Sequence, residues 1–228
     1  GADLRHTVNH YFAYHAGLHA SIYHNDQTYF GIDPRITFQF TPAENHEISL
    51  HAGSYTQFFH KAGLTGGGLP TDFFMLADST LQAERAVGTS VRYSASFFNK
   101  KWTLQAEGYF KQLYGVVESL GNIVQLINKG FDYEKYLITG AGRNYGLNLM
   151  LQRNKGIITG YISYSLGWAK RKLPALDGSQ EYIYSASHER RHDLNIVLNA
   201  RFAKRWTVGG QFVLASGLPY TKAEEAYI

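Results

Sequence analysis

At 228 residues the chain is long enough for one large or two ordinary soluble domains, yet its composition fits neither. It has no cysteine, which excludes a disulfide framework, a thiolate metal site and a cysteine nucleophile. It also has no run of 18 apolar residues, which excludes a transmembrane helix. The formal charge of +4 is spread over turns (Lys100-Lys101, Arg153 with Lys155, Lys204-Arg205), and the absence of one basic face argues against a nucleic-acid partner.

Aromatic residues make up 15% of the chain, with 17 Tyr and 14 Phe, and Gly (23) far outnumbers Pro (5); strands and turns account for that mix better than helices do. Mean hydropathy is −0.28, as expected where half of every strand faces water. The opening Gly1-Ala2-Asp3 lacks a basic and apolar leader, so no signal peptide is expected, as in a mature chain or an internal stretch.

Taken in order, the chain reads as alternating segments. Phe12, Tyr14, Ala16, Leu18, Ala20 and Ile22 alternate with His15, Gly17, His19 and Ser21, and a loop is expected from Asn25 to Pro34. Ile36, Phe38 and Phe40 follow, then a short turn at Pro42-Ala43-Glu44-Asn45, then Ile48, Leu50 and Ala52. Tyr55 to Thr80 reads as a long connection; its Gly66-Gly67-Gly68 is followed by neither a helical pattern nor a Lys-Ser/Thr pair, so it is not a phosphate cradle.

The clearest stretch is Thr89 to Lys111. Val91, Tyr93, Ala95 and Phe97 alternate with Arg92, Ser94 and Ser96. After Asn99-Lys100-Lys101, Trp102, Leu104, Ala106, Gly108 and Phe110 alternate with Thr103, Gln105, Glu107, Tyr109 and Lys111. Successive side chains of a strand point to opposite faces, so each of these strands has an oily and a wet side. Nearly ten residues per strand is about what a tilted strand needs to cross a bilayer, and Glu107 and Lys111 on the wet side suit an aqueous lumen better than a sandwich core.

Leu113 to Gly140 is expected to be irregular. Tyr145, Leu147, Leu149 and Leu151 then alternate with Asn144, Asn148 and Gln152, and Arg153-Asn154-Lys155-Gly156 is a tight-hairpin signal. Ile158, Ile162, Tyr164, Leu166 and Trp168 oppose Thr159, Tyr161, Ser163 and Ser165; a loop from Lys170 to Arg190 leads to Leu194, Ile196, Leu198 and Ala200. The last strand, from Trp206 to Leu214, precedes a polar tail. About nine strands result, with short turns near residues 43, 100, 154 and 204 and long loops between them, the asymmetry of a bacterial outer-membrane barrel. Trp102 and Trp206 stand just past short turns, where an aromatic girdle belongs. The expected fold is therefore an all-β, antiparallel transmembrane β-barrel. The candidate ligand-lining residues are Gln105, Glu107, Tyr109, Lys111, Asn144, Asn148, Tyr161 and Asn195, all predicted to face the lumen; Phe58, Phe59, Phe73 and Phe74 are candidate loop contacts.

His188-Glu189-Arg190-Arg191-His192 spells the H-E-x-x-H pattern of zinc peptidases, in which two His four apart on a helix share a metal and the Glu activates water. No helical stripe surrounds it, and on a strand the two rings would be about 13 Å apart. His6/His10 and His15/His19 fail the same test. A zinc hydrolase is thus a remote alternative, and no catalytic residue, metal or cofactor is assigned.

Several stretches together resemble the C-terminal half of a TonB-dependent outer-membrane transporter of the Bacteroidota type. They are Asp33-Pro34-Arg35-Ile36-Thr37-Phe38, Leu69-Pro70-Thr71-Asp72-Phe73-Phe74, Glu84 with Gly88, Glu107-Gly108-Tyr109-Phe110-Lys111, Gly142-Arg143-Asn144-Tyr145-Gly146-Leu147-Asn148, Gly160-Tyr161-Ile162-Ser163-Tyr164-Ser165, Arg190-Arg191-His192-Asp193-Leu194 and Ala215-Ser216-Gly217-Leu218-Pro219-Tyr220-Thr221. At Asn148 such proteins more often have an acidic residue. The resemblance implies a 22-stranded barrel filled by an N-terminal plug, of which residues 1–228 would be a partial barrel domain with the plug outside this chain. It implies energy-driven import of a scarce nutrient (siderophore, cobalamin, glycan or peptide) across the bacterial cell outer membrane, with no bond made or broken. The implied partners are outer-membrane lipid and lipopolysaccharide, the TonB energy-coupling complex acting through the plug, the small ligand, and in some members a surface lipoprotein lid. A passive porin and a surface adhesion or structural barrel are the alternatives.

Overall fold

A computed structural model describes residues 1–63, 72–119, 137–174, 181–202 and 205–219. These form thirteen strands: β1 (Ala2–Thr7), β2 (Phe12–His24), β3 (Thr28–Ala43), β4 (His46–Gln57), β5 (Phe59–Gly63), β6 (Asp72–Leu76), β7 (Glu84–Phe97), β8 (Trp102–Ser119), β9 (Leu137–Arg153), β10 (Ile158–Leu173), β11 (Tyr182–Ser185), β12 (His192–Phe202) and β13 (Trp206–Ala215). Ten of them run as one antiparallel meander, β1-β2-β3-β4-β7-β8-β9-β10-β12-β13. β11 adds to β10 beyond this path, and β5 pairs only with β6.

The observed strands are more numerous and longer than the alternation alone indicates. The expected loop from Asn25 to Pro34 is a three-residue reversal between β2 and β3, and Pro34 lies inside β3 opposite Leu18. Proline ordinarily argues against a central strand. Here the β3–β4 ladder begins only at Arg35–Gly53, so the missing N–H falls just past its end. β4 continues to Gln57, and the connection after it contains the β5–β6 hairpin; Gly66-Gly67-Gly68 lies outside the described residues. The stretch expected to be irregular after Leu113 continues β8 to Ser119, past a bulge between Tyr114 and Val116, with Gly115 at φ 70°. β10 runs on to Leu173, where loop was expected, and β1 was too short and too mixed to read.

Across the middle of the meander one face is apolar. The row Phe12–Phe40–Ile48–Tyr93–Ala106–Leu149–Tyr164–Leu194–Leu214 crosses nine strands in register. Leu104, Leu149, Ile162 and Leu198 are 36%, 39%, 45% and 49% exposed on this face, not gathered into an interior. The buried apolar cluster is small, Met75, Leu81 and Val117 with Leu137 against them.

The strands are staggered. The last pair of the first hairpin, Thr7–Ala13, is level with Glu107. The last pair of the final one, Phe202–Trp206, lies four residues beyond Leu198, itself level with Trp102. That is about one residue per strand, which at ~3.3 Å per residue and ~4.8 Å between strands inclines the strands by about 35°, the tilt of membrane barrels. On the apolar face Trp102 pairs with Phe97 and carries the Arg153 guanidinium 5.5 Å from its ring centroid. Further along, Phe110, Tyr145 and Trp168 form a second aromatic row, with Tyr145 and Trp168 stacked at 5.3 Å. Eight residues separate the rows along β8, about 27 Å of strand and roughly 22 Å of height at that tilt, close to the apolar band of such barrels.

Candidate ligand-lining face

Antiparallel partners share a face, so register shows which side chains lie together. Gln105 is in line with Met150, Ser163 and Asn195. Glu107 is in line with Arg92, Asn148, Ser165 and Asp193; Tyr109 with Ser90, Gly146 and Gly167; Lys111 with Gly88, Asn144 and Ala169; and Tyr161 with Gln152 and Thr103. All eight predicted residues therefore occupy the polar face of β8, β9, β10 and β12.

The chemistry of this face is mixed and largely paired. Arg92 Nη2 reaches Glu107 Oε2 at 3.1 Å, the arginine exposed and the glutamate half-buried. Lys111 Nζ sits 5.9 Å from the Tyr55 ring centroid, Asn144 Oδ1 accepts from Arg171 Nη1 at 3.0 Å, and Asn195 donates to Asp193. Tyr109 lies across two glycines: a Cβ at Gly146 or Gly167 would come within 2.9 or 3.2 Å of its hydroxyl. Glycine here gives the phenol a flat bed on the wall. Further round the same face Arg35 Nη2 holds Asp3 at 2.9 Å, with His15 Nε2 3.5 Å from that carboxylate.

Towards the rim of the long connections the polar face ends in a cluster that sequence reasoning missed. Arg171, 5% exposed, donates to Asn144 and, at 3.3 Å, to His188 Nε2, and its Nε lies 4.0 Å from Glu118. Burial pushes the Tyr184 hydroxyl up to about 12, aided by the neighbouring Glu118 carboxylate. Burial, and then the Arg171 charge, hold His188 below its ordinary range, in keeping with a neutral ring that accepts from the guanidinium. Arg171 lies in a stretch read as loop, so no face was assigned to it; Arg92 and Asp193 were legible as the wet side of their strands.

The H-E-x-x-H segment is turn and strand, not helix. His192 Nδ1 bonds the Tyr164 hydroxyl at 2.8 Å on the apolar face, while His188 meets Arg171. Glu189, 6% exposed, accepts from the Ala169 N–H at 2.8 Å, Arg191 Nη2 at 2.9 Å and the Ser185 hydroxyl at 3.1 Å. Burial raises its pKa, but those donors outweigh it and hold the carboxylate below its usual range. A carboxylate so held, with three donors on its two oxygens, anchors a loop. Among the described residues no three His, Cys, Asp or Glu side chains converge as metal ligands. Of the loop aromatics, Phe58 stacks on Tyr23 at 5.3 Å, and Phe59 meets Phe74 edge-on at 6.0 Å with both rings exposed. The Phe73 side chain is outside the described residues.

No known protein family matches the sequence, and no curated protein matches it. Among solved structures the chain is similar to the FrpB iron transporter from Neisseria meningitidis (F3-3 variant), with a TM-score of 0.62 and 13% sequence identity over 92% of this chain. The fold is that of a transmembrane β-barrel wall. The chain spans 31% of the length of that transporter chain. Similarity at this identity carries the architecture alone.

Proposed function

We propose that this chain is part of the barrel of a TonB-dependent importer in a bacterial outer membrane, carrying a scarce small nutrient through its lumen. The observation that carries the reading is the polar face itself. Eight polar side chains foreseen from sequence share one side of a transmembrane wall, beside the ion pair Arg92–Glu107 and the Arg171 cluster. The fold shared with an iron transporter agrees with it. In this reading Gln105, Glu107, Tyr109, Lys111, Asn144, Asn148, Tyr161 and Asn195 contact ligand or plug, and strands outside this sequence complete the sheet at β1 and β13, because lipid cannot satisfy open edges. The motor acts through the plug, and this wall performs no bond chemistry.

The test is uptake by cells carrying the full-length protein. Import that saturates, stops on addition of a protonophore, and weakens severalfold in half-saturation when Glu107→Gln and Asn148→Ala are combined is expected. Unsaturable flux indifferent to the protonophore would instead make the barrel a passive porin.

A further inference from the structure

Glu189 and His188 both fasten the β11–β12 connection to the wall, the first through its three donors and the second through Arg171. The partner of His188 fixes its protonation. A guanidinium has N–H donors and no acceptor, so the 3.3 Å contact from Arg171 Nη2 to His188 Nε2 is a hydrogen bond only if that nitrogen carries a lone pair. The ring is then neutral, with its proton on Nδ1. An imidazolium donates from both nitrogens and accepts at neither, so this bond cannot survive protonation.

The surroundings widen the gap between the two states. Arg171 from β10 and Lys61 from β5 both act on the ring as cations. Glu189, beside it in the chain, acts the other way, but its oxygens already take three donors. Around Arg171 stand Glu118 of β8 and Tyr184 of β11, hydrogen-bonded to each other, and Glu84 of β7. A proton on His188 therefore removes a bond and sets a third positive charge beside two. The ring is exposed, so protons reach it, whereas Arg171 is 5% exposed. Arg171 also has few acceptors to lose: Asn144 Oδ1 at 3.0 Å and the Lys170 carbonyl at 3.1 Å are the others, and its Nε has no hydrogen-bond partner among the described residues.

We propose that His188 is a proton-operated latch, tying the β11–β12 connection to Arg171 as a neutral ring and releasing it as an imidazolium. Burial, and then the Arg171 charge, hold the fastened ring below its ordinary 6.5, whereas the released ring takes a proton near that value. The fastening is therefore complete above about pH 6.5, weakens as the pH falls towards the depressed value, and is lost below it. Arg171 also holds Asn144, so the latch reaches a candidate ligand contact; that consequence rests on the importer reading, while the latch itself needs only the fold.

The experiment is amide exchange on the full-length protein in detergent micelles, without nutrient, at pH 7.5 and 5.0, each rate corrected for intrinsic exchange. It follows peptides covering residues 184–191, in which the Ala186 and Glu189 amides are bonded to the Ala169 and Ala186 carbonyls. Opening should rise at least about threefold at the lower pH. His188→Gln, which still offers Arg171 an acceptor but takes no proton, should remove that rise. His188→Lys, a permanent cation, should open the segment at both pH values. Glu189 does not mimic the effect, because its donors hold it ionised below the usual carboxylate range. Heat-modifiable gel mobility verifies that each variant is folded. No rise in the unmodified protein, a rise that persists in His188→Gln, or a segment still closed at pH 7.5 in His188→Lys overturns the latch. The measurement needs neither nutrient nor motor, so a failed latch leaves the importer reading untouched, and unsaturable uptake leaves the latch standing.

Discussion

The two glycines under Tyr109 make the most discriminating test at the scale of single residues. At Gly146 an added Cβ would press on the Leu166 carbonyl oxygen as well as on Tyr109, and backbone cannot step aside. At Gly167 it would meet Tyr109's hydroxyl at 3.2 Å, the movable end of a side chain, and otherwise only the Arg190 carbonyl at 3.8 Å. Gly146→Ala should therefore deplete the heat-resistant folded form, while Gly167→Ala should leave folding intact and only shift the phenol. Gel mobility after graded heating reads the difference; equal effects would mean that Tyr109 does not lie across the pair. Arg92 and Glu107 invite a different expectation. Their bond is solvent-exposed, and such pairs are worth about 0–1 kcal/mol, so Glu107→Gln should barely move thermal stability even where it alters uptake. Glu189 is the contrast. It is buried and takes three donors, so Glu189→Gln should loosen the β11–β12 connection by about 2–3 kcal/mol, seen as faster proteolytic cutting after Ser185.

At the scale of elements, the β5–β6 hairpin is tied to the wall through His60. That ring is 1% exposed, donates from Nε2 to the Gln82 carbonyl at 2.9 Å, and among the described residues leaves Nδ1 without a partner. Burial pushes its pKa below the ordinary 6.5. The folded form thus disfavours the proton that the opened form accepts. The hairpin should be fully held above about pH 6.5 and should loosen as pH falls from there towards the depressed value, where the loss is complete. Amide exchange across Phe59–Leu76 at pH 7.5 and 5.5 measures it, and His60→Gln should abolish the pH dependence; a dependence that persists in that variant assigns it to another group. This hairpin also marks the limit of what could be read in advance. Val91 to Phe97, Trp102 to Lys111, Asn144 to Gln152, Ile158 to Trp168 and Asp193 to Arg201 alternate regularly, so the polar face was legible, and with it the shared face of all eight candidate residues. Around Pro34, Gly115 and Arg171 a proline, a bulge and a run of basic residues interrupt the period of two, and strand was taken for loop. β5 and β6 escaped because five-residue strands that pack on a neighbour carry no alternation long enough to notice. The Arg171 cluster was missed for the same reason, since without a strand there is no face on which to place a side chain.

At the scale of the whole molecule, everything depends on which face meets water. The wall assigns opposite surroundings to adjacent residues: Gln105 and Glu107 share a face with Asn148 and Ser163, whereas Leu104 and Ala106 share one with Leu149 and Ile162. A one-residue slip in register would exchange every pair, so alternation of accessibility along β8 is a stringent test of both register and sidedness. The sequence has no cysteine of its own, which makes the measurement clean over this region. Single cysteines at Leu104, Gln105, Ala106, Glu107, Gly108 and Tyr109, introduced into the full-length protein in intact membranes, should label alternately. Gln105→Cys, Glu107→Cys and Tyr109→Cys should react with a charged maleimide; Leu104→Cys, Ala106→Cys and Gly108→Cys should react only, and more slowly, with a lipid-soluble one, because a charged reagent does not enter hydrocarbon and the thiolate is scarce there. Along β9 the same pattern should place Asn148 with the first group and Leu149 with the second. Uniform protection of Leu104, Leu149, Ile162 and Leu198 from both reagents would mean that they are sealed within protein. The sheet would then be half of a soluble sandwich and not a partition between lipid and water.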